Sequence, residues 1–310
     1  MTSTILRTAD GWWAQTAAGA ARIATTATTT AEVLAHRAAI EDAMHSSDTV
    51  AVSELALLSP VTLPCRVIAQ ATNYLSHIKD VGRDPTKAQL TFFRKASAAI
   101  VGPFDDIIKP KHVQLLDYEV EIGLVIGRAL PVGTEVTDAN LTEFVCGLVV
   151  ANDVSARDVQ RAQGQFYEAK SYPSFAPIGP ALVLLDADEL KRFGELRLQL
   201  WVNGAQRQNG VVHGDMLYPP LKALQALSRF QRLDVGDLLL TGTPVGTAMR
   251  APRPAGSARP SGEPPSLEVF LASQLHNPYY LHDGDVVEAT IATDDGLINL
   301  GTQRNVVRYA

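Results

Sequence analysis

The strongest constraint on the fold comes from one stretch of the chain, Asp117 to Gly127, with the sequence DYEVEIGLVIG. Its β-branched and large apolar residues, punctuated by glycine, predict a β-strand fit for a protein interior. Because side chains alternate faces along a strand, Glu119 and Glu121 point the same way. Two like charges there are costly unless a cation or strong donors neutralise them. The stretch alone allows either a structural ion-pair site or a divalent metal held by carboxylate oxygens.

The chain has the composition of an ordinary globular protein. Its 310 residues suffice for one large domain or two, with 46% hydrophobic and 19% charged residues. The 27 basic and 33 acidic residues give a net charge of −6, and the basic residues are scattered, which argues against a nucleic-acid or anionic membrane surface. Cys65 and Cys146 lie in apolar sequence, which indicates buried free thiols in a reducing compartment. No membrane-length apolar run or secretory signal is evident, so we expect a soluble cytoplasmic protein.

A change in amino-acid composition and pattern divides the chain into two predicted domains. Residues 1–62 are rich in Ala and Thr, with a strand-like opening around Trp12 and Trp13 and helical spacing from Thr30 to Met44. They predict a small N-terminal α/β domain that ends at a proline-marked linker. Residues 63–310 consist of short β-type runs between glycines and prolines, so we expect an α+β, β-rich fold. Within them, Asn203-Gly204 predicts a hairpin turn. The segment from Arg250 to Ser266 has no periodicity and predicts a mobile loop or disordered insertion.

Three polar side chains before the carboxylate strand are weaker candidates. His77 and Asp80 lie three residues apart, a spacing that brings side chains together on one helical turn. Such an aspartate can fix the tautomer of a general base, although an incidental ion pair on an exposed turn is the simpler interpretation of this spacing. Lys95, at the end of a predicted strand, is by default a solvent-exposed lysine, with a role facing a phosphate or carboxylate as the alternative.

Three further candidates follow the carboxylate strand. Asp153 comes where an apolar strand turns into a predicted helix, a place that commonly carries functional groups, although a helix N-cap is the structural alternative. Lys170 precedes a rigid run of prolines and glycines that could hold it in place. Thr243 lies in a Gly/Thr/Pro turn that could receive an anionic substrate group, or it is part of a plain turn.

Glu119, Glu121 and Asp153 together place three carboxylates on two predicted core strands. This ligand set suits Mg²⁺ or another oxygen-preferring divalent ion and not zinc, which favours His and Cys. The expected cofactor is therefore Mg²⁺, with Mn²⁺ or Ca²⁺ as substitutes.

From Cys65 to the C-terminus the chain resembles the fumarylacetoacetate hydrolase family. Five motifs in the family's order carry the resemblance: Asn73-Tyr74…His77…Asp80, Asp117-Tyr-Glu-Val-Glu121, Ala151-Asn-Asp-Val-Ser-Ala-Arg-Asp-Val-Gln160, Lys170-Ser171…Gly179-Pro180 and Thr241-Gly-Thr-Pro244. The resemblance implies a β-roll or sandwich catalytic domain, a bound Mg²⁺ or Mn²⁺ and a homodimer.

The resemblance also implies roles for individual residues. Glu119, Glu121 and Asp153 match the metal ligands, His77 the general base and Lys170 the active-site lysine. The substrate site would be lined by Arg157, Gln160 and Thr243, and we add Tyr74 and Lys95 as further predicted substrate contacts. Asp80 departs from the family, which usually has Glu as the partner of the histidine. Residues 249–282 are a second departure, an insertion that could serve as a lid or an oligomer contact.

The reaction implied is hydrolysis of a C–C bond in a 2,4-dioxo acid of the acylpyruvate or fumarylacetoacetate type, as in aromatic catabolism. The metal would chelate the 1-carboxylate and 2-oxo group, and His77 would activate water. Collapse of the intermediate would expel an enolate stabilised by the metal. Decarboxylation, isomerisation or hydration of a related 2-oxo acid is the alternative, and a degenerate member that binds a dicarboxylate is a further one. The expected partner is the small oxo-acid substrate, without nucleic acid or membrane.

Overall fold

A computed structural model of the chain describes residues 2–163, 165–250 and 266–310. The strands of the first half are β1 Ser3–Thr8, β2 Gly11–Thr16, β3 Gly19–Arg22, β4 Val67–Ala71, β5 Thr91–Lys95, β6 Ile100–Val101, β7 Ile107–Lys109, β8 Leu116–Asp117, β9 Val120–Ile126 and β10 Val145–Asn152. Those of the second half are β11 Ser155–Ala156, β12 Ala176–Pro177, β13 Leu182–Leu184, β14 Leu196–Val202, β15 Ala205–Val211, β16 Leu238–Leu240, β17 Val286–Thr293 and β18 Asn299–Tyr309.

Helices connect and flank these strands. They are α1 Thr30–Ala35, α2 Arg37–Met44, α3 Leu75–Asp80, α4 Leu141–Phe144, α5 Arg157–Gln163, α6 Ala187–Lys191, α7 Pro220–Leu227 and α8 Leu267–Gln274, with 3₁₀ turns at Val52–Glu54, Pro85–Lys87, Ser97–Ala99 and Arg192–Glu195. The predicted strand-rich α+β class is confirmed. In the part of the chain that the structure describes, no helix is both long and apolar enough to cross a bilayer.

Two sheets build the core. The larger has nine strands in the order β3-β2-β1-β13-β10-β9-β16-β4-β5, and the smaller has five in the order β15-β14-β17-β18-β7. β9 and β10 pair antiparallel near the middle of the large sheet, and every residue of both strands is buried. The small sheet buries alternate residues of β14 and β17, as expected for a sheet that packs one face on the core.

Tight turns hold the small sheet in register. Asn203 and Gly204 both have positive φ, 51° and 76°, and join β14 to β15 as the predicted two-residue hairpin. Such a turn follows the right-handed twist of the two strands, and asparagine and glycine tolerate its backbone best.

The N-terminal strands extend the large sheet. Ile5 of β1 lies opposite Leu182 of β13, and β2 and β3 continue the sheet outward. The domain division at residue 62 stays a prediction. The single helix predicted from Thr30 to Met44 is wrong, because His36, at φ −97° and ψ 47°, interrupts it and leaves two short helices.

The predicted insertion, residues 249–282, is described in part. The expectation of a mobile loop from Arg250 to Ser266 concerns residues 251–265, which lie outside the described residues. After them the Ser266 hydroxyl accepts a hydrogen bond from Val269 N–H and caps α8. α8 lies beside α5, where the Arg161 guanidinium carbon is 5.6 Å from the centroid of the Phe270 ring.

Candidate metal centre and its surroundings

The pairing of β9 with β10 assembles the candidate metal centre. Asn152 lies opposite Val120, and beyond this pair Asp153 N–H donates to the Glu119 carbonyl at 2.8 Å. Carboxylate oxygens of Glu119, Glu121 and Asp153 all lie within 4.8 Å of one another, and the three side chains are buried. Asp153 is not a helix N-cap, since α5 begins only at Arg157. The two strands therefore bring together the three carboxylates that the sequence predicts.

Two lysines reach this cluster from different parts of the chain. Lys170 Nζ lies 2.7 Å from Glu119 Oε2 and 2.6 Å from Asp153 Oδ2, and so joins the two carboxylates. Lys95 Nζ contacts Asp153 Oδ1 and donates to the Phe175 carbonyl at 2.9 Å. The default expectation of a solvent-exposed Lys95 is wrong, because the residue is 3% exposed and its ammonium group lies inside the cluster.

Arg157 connects the cluster to a fourth carboxylate. Its Nη2 lies 2.5 Å from Glu119 Oε1, its Nε lies 2.7 Å from Asp117 Oδ2, and its Nη1 donates to Gln160 Oε1 at 3.0 Å. Asp117 also accepts hydrogen bonds from the N–H groups of Ala248 and Met249. Sequence reasoning missed Asp117. Its position two residues before Glu119, on the same strand face, was the available signal.

The charges of this cluster do not cancel. Burial raises the pKa of Glu121 well above its usual range, and the negative charges of Asp153 and Glu119 raise it further. Burial also opposes ionisation of Glu119, but the positive charges of Arg157 and Lys170 outweigh it and lower the pKa of that carboxyl. With every group ionised, four buried carboxylates face three buried cations, a formal charge of −4 + 3 = −1. A divalent cation at this place would relieve the excess negative charge.

His77 lies beside the cluster on α3. An exposed turn, the simpler expectation from its spacing, is wrong, because His77 is 4% exposed. Burial lowers the pKa of His77 to about 4, the positive charges of Arg157 and Lys170 add to the fall, and Glu119 and Asp117 oppose it. Its Nδ1 has no hydrogen-bond partner among the described residues. Asp80 is the last residue of the same helix, and its hydrogen bond to His77 stays a prediction.

The segment before His77 is fixed by contacts to Asp215. The Asp215 carboxylate accepts from Ser76 N–H at 2.7 Å and from the Ser76 hydroxyl at 2.5 Å, at the start of α3. The same hydroxyl accepts from Val245 N–H at 3.2 Å, which joins the helix to the Gly/Thr/Pro turn. Tyr74 is fully buried, and burial together with the nearby Glu121 charge raises its pKa well above the usual range.

The Gly/Thr/Pro turn supports Glu121 directly. Gly242 N–H donates to Glu121 Oε2 at 2.7 Å, and the left-handed φ of +83° at Gly242 is one that glycine adopts most readily. The Thr243 hydroxyl donates to the Val120 carbonyl at 2.9 Å and accepts from Gln208 Nε2 at 2.8 Å. The hydroxyl is thus already engaged by protein groups, and the substrate contact expected of Thr243 stays a prediction.

The donor set fits a hard divalent cation. Three carboxylates on one side of a buried centre are the ligand type that Mg²⁺ and Mn²⁺ prefer, and neither cysteine belongs to the cluster. Burial and the negative charges of Asp153 and Glu119 raise the pKa of Glu121, and a cation bound by the three carboxylates would offset their repulsion. Both cysteines are free thiols. Cys146 is buried as predicted, whereas Cys65 is only half-buried.

Known proteins resemble this chain in sequence. Residues 66–308 match the family model described as fumarylacetoacetate (FAA) hydrolase C-terminal. The mitochondrial oxaloacetate tautomerase Fahd2a of Rattus norvegicus is 36% identical over 198 residues, which are 64% of this chain and 61% of that protein. The chain thus spans about three fifths of the length of the curated relatives it matches first.

Solved structures resemble the whole chain. The fumarylacetoacetate hydrolase of the psychrophilic Exiguobacterium antarcticum superposes with a TM-score of 0.73 and 28% identity, over 100% of both chains. The 2-hydroxyhepta-2,4-diene-1,7-dioate isomerase of Mycobacterium marinum gives 0.69 and 26%, over 100% of this chain and 98% of that one.

Proposed function

The chain belongs to the fumarylacetoacetate hydrolase family, and from this premise we propose that it is a divalent-metal-dependent hydrolase that cleaves a C–C bond in a 2,4-dioxo acid of the acylpyruvate type. The buried cluster of Glu119, Glu121 and Asp153 beside a neutral histidine carries the proposal. The fold and the enzymatic character of the named relatives support it.

Glu119, Glu121 and Asp153 would hold the metal ion, Mg²⁺ or Mn²⁺. Such an ion polarises a 2-oxo group and stabilises negative charge that develops on its oxygen. With two positive charges added, the formal charge of the buried cluster changes from −1 to +1. A positively charged, water-poor site attracts the carboxylate of a 2-oxo acid, which is the substrate class proposed here.

His77 is the proposed general base. Its pKa of about 4 means that the imidazole is neutral at pH 7 and able to accept a proton from the water that attacks the C4 carbonyl. Lys170 and Arg157 remain protonated, and their positive charges would stabilise the oxyanion that forms at C4. Gln160, hydrogen-bonded to Arg157, would orient that guanidinium group.

The test measures metal content and turnover of a panel of acylpyruvates in ¹⁸O-water. Hydrolysis must place the label in the released carboxylic acid. Glu121→Gln should lower both metal content and kcat/KM, by roughly hundredfold or more for the latter, because it removes a charged ligand. The exposed Glu135 offers the matched control, Glu135→Gln, which should behave as wild type. Full activity and full metal content in Glu121→Gln would refute the site assignment.

Keto–enol tautomerisation of a 2-oxo dicarboxylate is the second candidate. Among the described residues, His77 Nδ1 has no group that would orient the imidazole toward an attacking water. This favours tautomerisation, because a base that only moves a proton between carbon and oxygen needs no activated water. A relative named oxaloacetate tautomerase, 36% identical, adds support. Loss of the oxaloacetate enol absorbance without release of CO₂ or uptake of ¹⁸O would identify this activity, and CO₂ release would identify a decarboxylase.

A homodimer is also proposed, from the family resemblance. A cytoplasmic location is proposed from the two free cysteines, which suit a reducing compartment. Sedimentation equilibrium of the metal-loaded protein decides the first, and a mass of one chain at all concentrations would refute it.

A further inference from the structure

Four residues form a second polar cluster, where the 249–282 insertion leaves and rejoins the fold. Tyr118, Arg207, Arg250 and Tyr279 are here called the arginine–tyrosine cluster. The guanidinium carbons of Arg207 and Arg250 lie 4.5 Å and 4.3 Å from the centroid of the Tyr279 ring. The ring attracts both cations, but the two positive charges repel each other. An anion held between them would remove this repulsion.

Arg207 and Arg250 differ from Arg66, Arg157 and Arg192, each of which contacts two carboxylates. In the described part of the chain, no ion pair or side-chain hydrogen bond satisfies Arg207 or Arg250. The Arg207 Nε is buried and has no hydrogen-bond acceptor among the described residues. A buried guanidinium N–H left in this way is costly, which indicates that a ligand supplies the missing acceptor.

Tyr118 adds a second buried donor at the same place. The residue is fully buried, and its hydroxyl has no hydrogen-bond partner among the described residues. Backbone contacts bring its chain segment beside those of both arginines, since Val120 N–H donates to Gln208 Oε1 at 3.0 Å and Met249 N–H donates to Asp117 Oδ2 at 3.0 Å. Among the described residues, two donors without acceptors and two positive charges without a carboxylate partner therefore lie in adjoining segments.

Contacts of the insertion fix Tyr279 against Arg250. Asn277 Nδ2 donates to the Ala248 carbonyl at 2.8 Å, and Asn277 Oδ1 accepts from Tyr279 N–H at 3.0 Å. The Arg250 side chain is exposed, whereas Arg207 is half-buried. The cluster thus has a built inner wall and an opening to solvent.

We infer that the arginine–tyrosine cluster is a binding site for a small carboxylate anion. Guanidinium groups pair with carboxylates through two parallel N–H···O bonds, and the planar forks of Arg207 and Arg250 suit this geometry. The Tyr118 hydroxyl would donate a further hydrogen bond to the same anion. Tyr279 holds the two arginines in place through its ring.

The cluster adjoins the candidate metal centre through three of its four chain segments. Tyr118 directly precedes Glu119, and Arg207 directly precedes Gln208, whose amide contacts Thr243. Arg250 follows Met249, whose N–H donates to Asp117 at 3.0 Å. The carboxylate can therefore have two sources: the second carboxylate of a dicarboxylic substrate, which rests on the proposed function, or a separate small carboxylate, which does not.

The test titrates the Mg²⁺-loaded protein with succinate by calorimetry, alone and with saturating oxalate. Arg250→Gln should weaken succinate binding by about tenfold or more, because it removes a charge-assisted contact. Tyr118→Phe should weaken it by a smaller factor, and both should leave oxalate affinity unchanged. Arg229 is an exposed arginine outside the cluster, and Arg229→Gln is the matched control.

The two sources give different results in wild type. Succinate that binds beside oxalate indicates a separate anion, and succinate that competes with oxalate indicates one dicarboxylate spanning both sites. Absence of saturable succinate binding would overturn the inference. The inference would also be overturned if Arg250→Gln and Tyr118→Phe bound succinate with the affinity of Arg229→Gln. It would equally be overturned if Arg250→Gln kept its succinate affinity and changed only the molecular mass measured by sedimentation. None of these measurements requires turnover, so a failure of the proposed function can be distinguished from a failure of this inference.

Discussion

Single residues near the candidate metal centre owe their properties to contacts between distant parts of the chain. His77 shows this most directly, because its imidazole is buried beside two cations and its pKa falls to about 4. The unfolded chain binds the proton near pH 6.5. Between these two pH values the unfolded state takes up a proton that the folded state excludes. Neutral His77 thus contributes stability that is complete above about pH 6.5 and is lost as the pH falls toward 4.

When the pH falls from 7.0 to 4.5, the unfolding free energy of the metal-free wild type should therefore decrease by about 2 kcal/mol more than that of His77→Gln. Urea denaturation of both proteins with a chelator present measures the difference. Any constant cost of the glutamine cancels, since only the change with pH is compared. An equal loss in the two proteins would show that His77 titrates normally in the folded state.

Sequence alone predicts some of these residues and not others. That Glu119 and Glu121 lie on one face of the strand follows from the alternation of side chains along it. Their proximity to Asp153 is confirmed by the strand pairing. The burial of Lys95 does not follow from its neighbours, because its partners Asp153 and Phe175 lie 58 and 80 residues further along the chain. Side-chain contacts over such separations depend on the complete fold.

At the scale of elements, the turn after β16 is pressed against β15. Gly246 has a φ of +110°, and a Cβ built there would lie 2.0 Å from the Arg207 carbonyl oxygen. Gly246→Ala should therefore cost about 2–4 kcal/mol of unfolding free energy, from backbone strain and the forced displacement of β15. Urea denaturation of the purified variant measures this cost.

Gly284 provides the control for backbone strain without a clash. Its φ of +85° is also left-handed, but a Cβ there meets nothing within 4 Å. Gly284→Ala should cost only about 1 kcal/mol. Equal destabilisation of the two variants would show that the turn does not press against β15. Because Arg207 lies on β15, succinate titration of Gly246→Ala would also report on the position of Arg207.

Element positions are predicted best where local patterns are complete. The Asn203-Gly204 hairpin is confirmed, because its two residues alone determine the turn. The break between α1 and α2 at His36 was not predicted, since the apolar spacing of the sequence continues through it. A helix end without a glycine or proline has no such local signal.

At the scale of the whole molecule, residues 1–62 share the large sheet with residues 63–310. β1 pairs with β13, and Trp12 of β2 is 1% exposed. A chain that begins at residue 63 would leave one edge of β13 unpaired and uncover apolar surface. We expect residues 63–310 alone to aggregate on expression or to unfold about 10 °C or more below the full chain.

Thermal unfolding and sedimentation of both forms check this expectation. A soluble 63–310 segment with the midpoint of the full chain would favour two independent domains. The boundary at residue 62 came from a change in composition, and composition carries no information about which strands pair. The β-rich class, by contrast, follows from the many short strand patterns and the family motifs.

The position of β13 also affects how the protein is made. β13 lies between β1 and β10 in the sheet, yet the ribosome synthesises both neighbours before it. At roughly 5–20 residues per second, Ile5 waits on the order of 10–35 s for its partner Leu182 to appear. During synthesis both neighbours of β13 are therefore complete before β13 itself. β1 and β10 can be joined in one sheet only after this three-residue strand has been made.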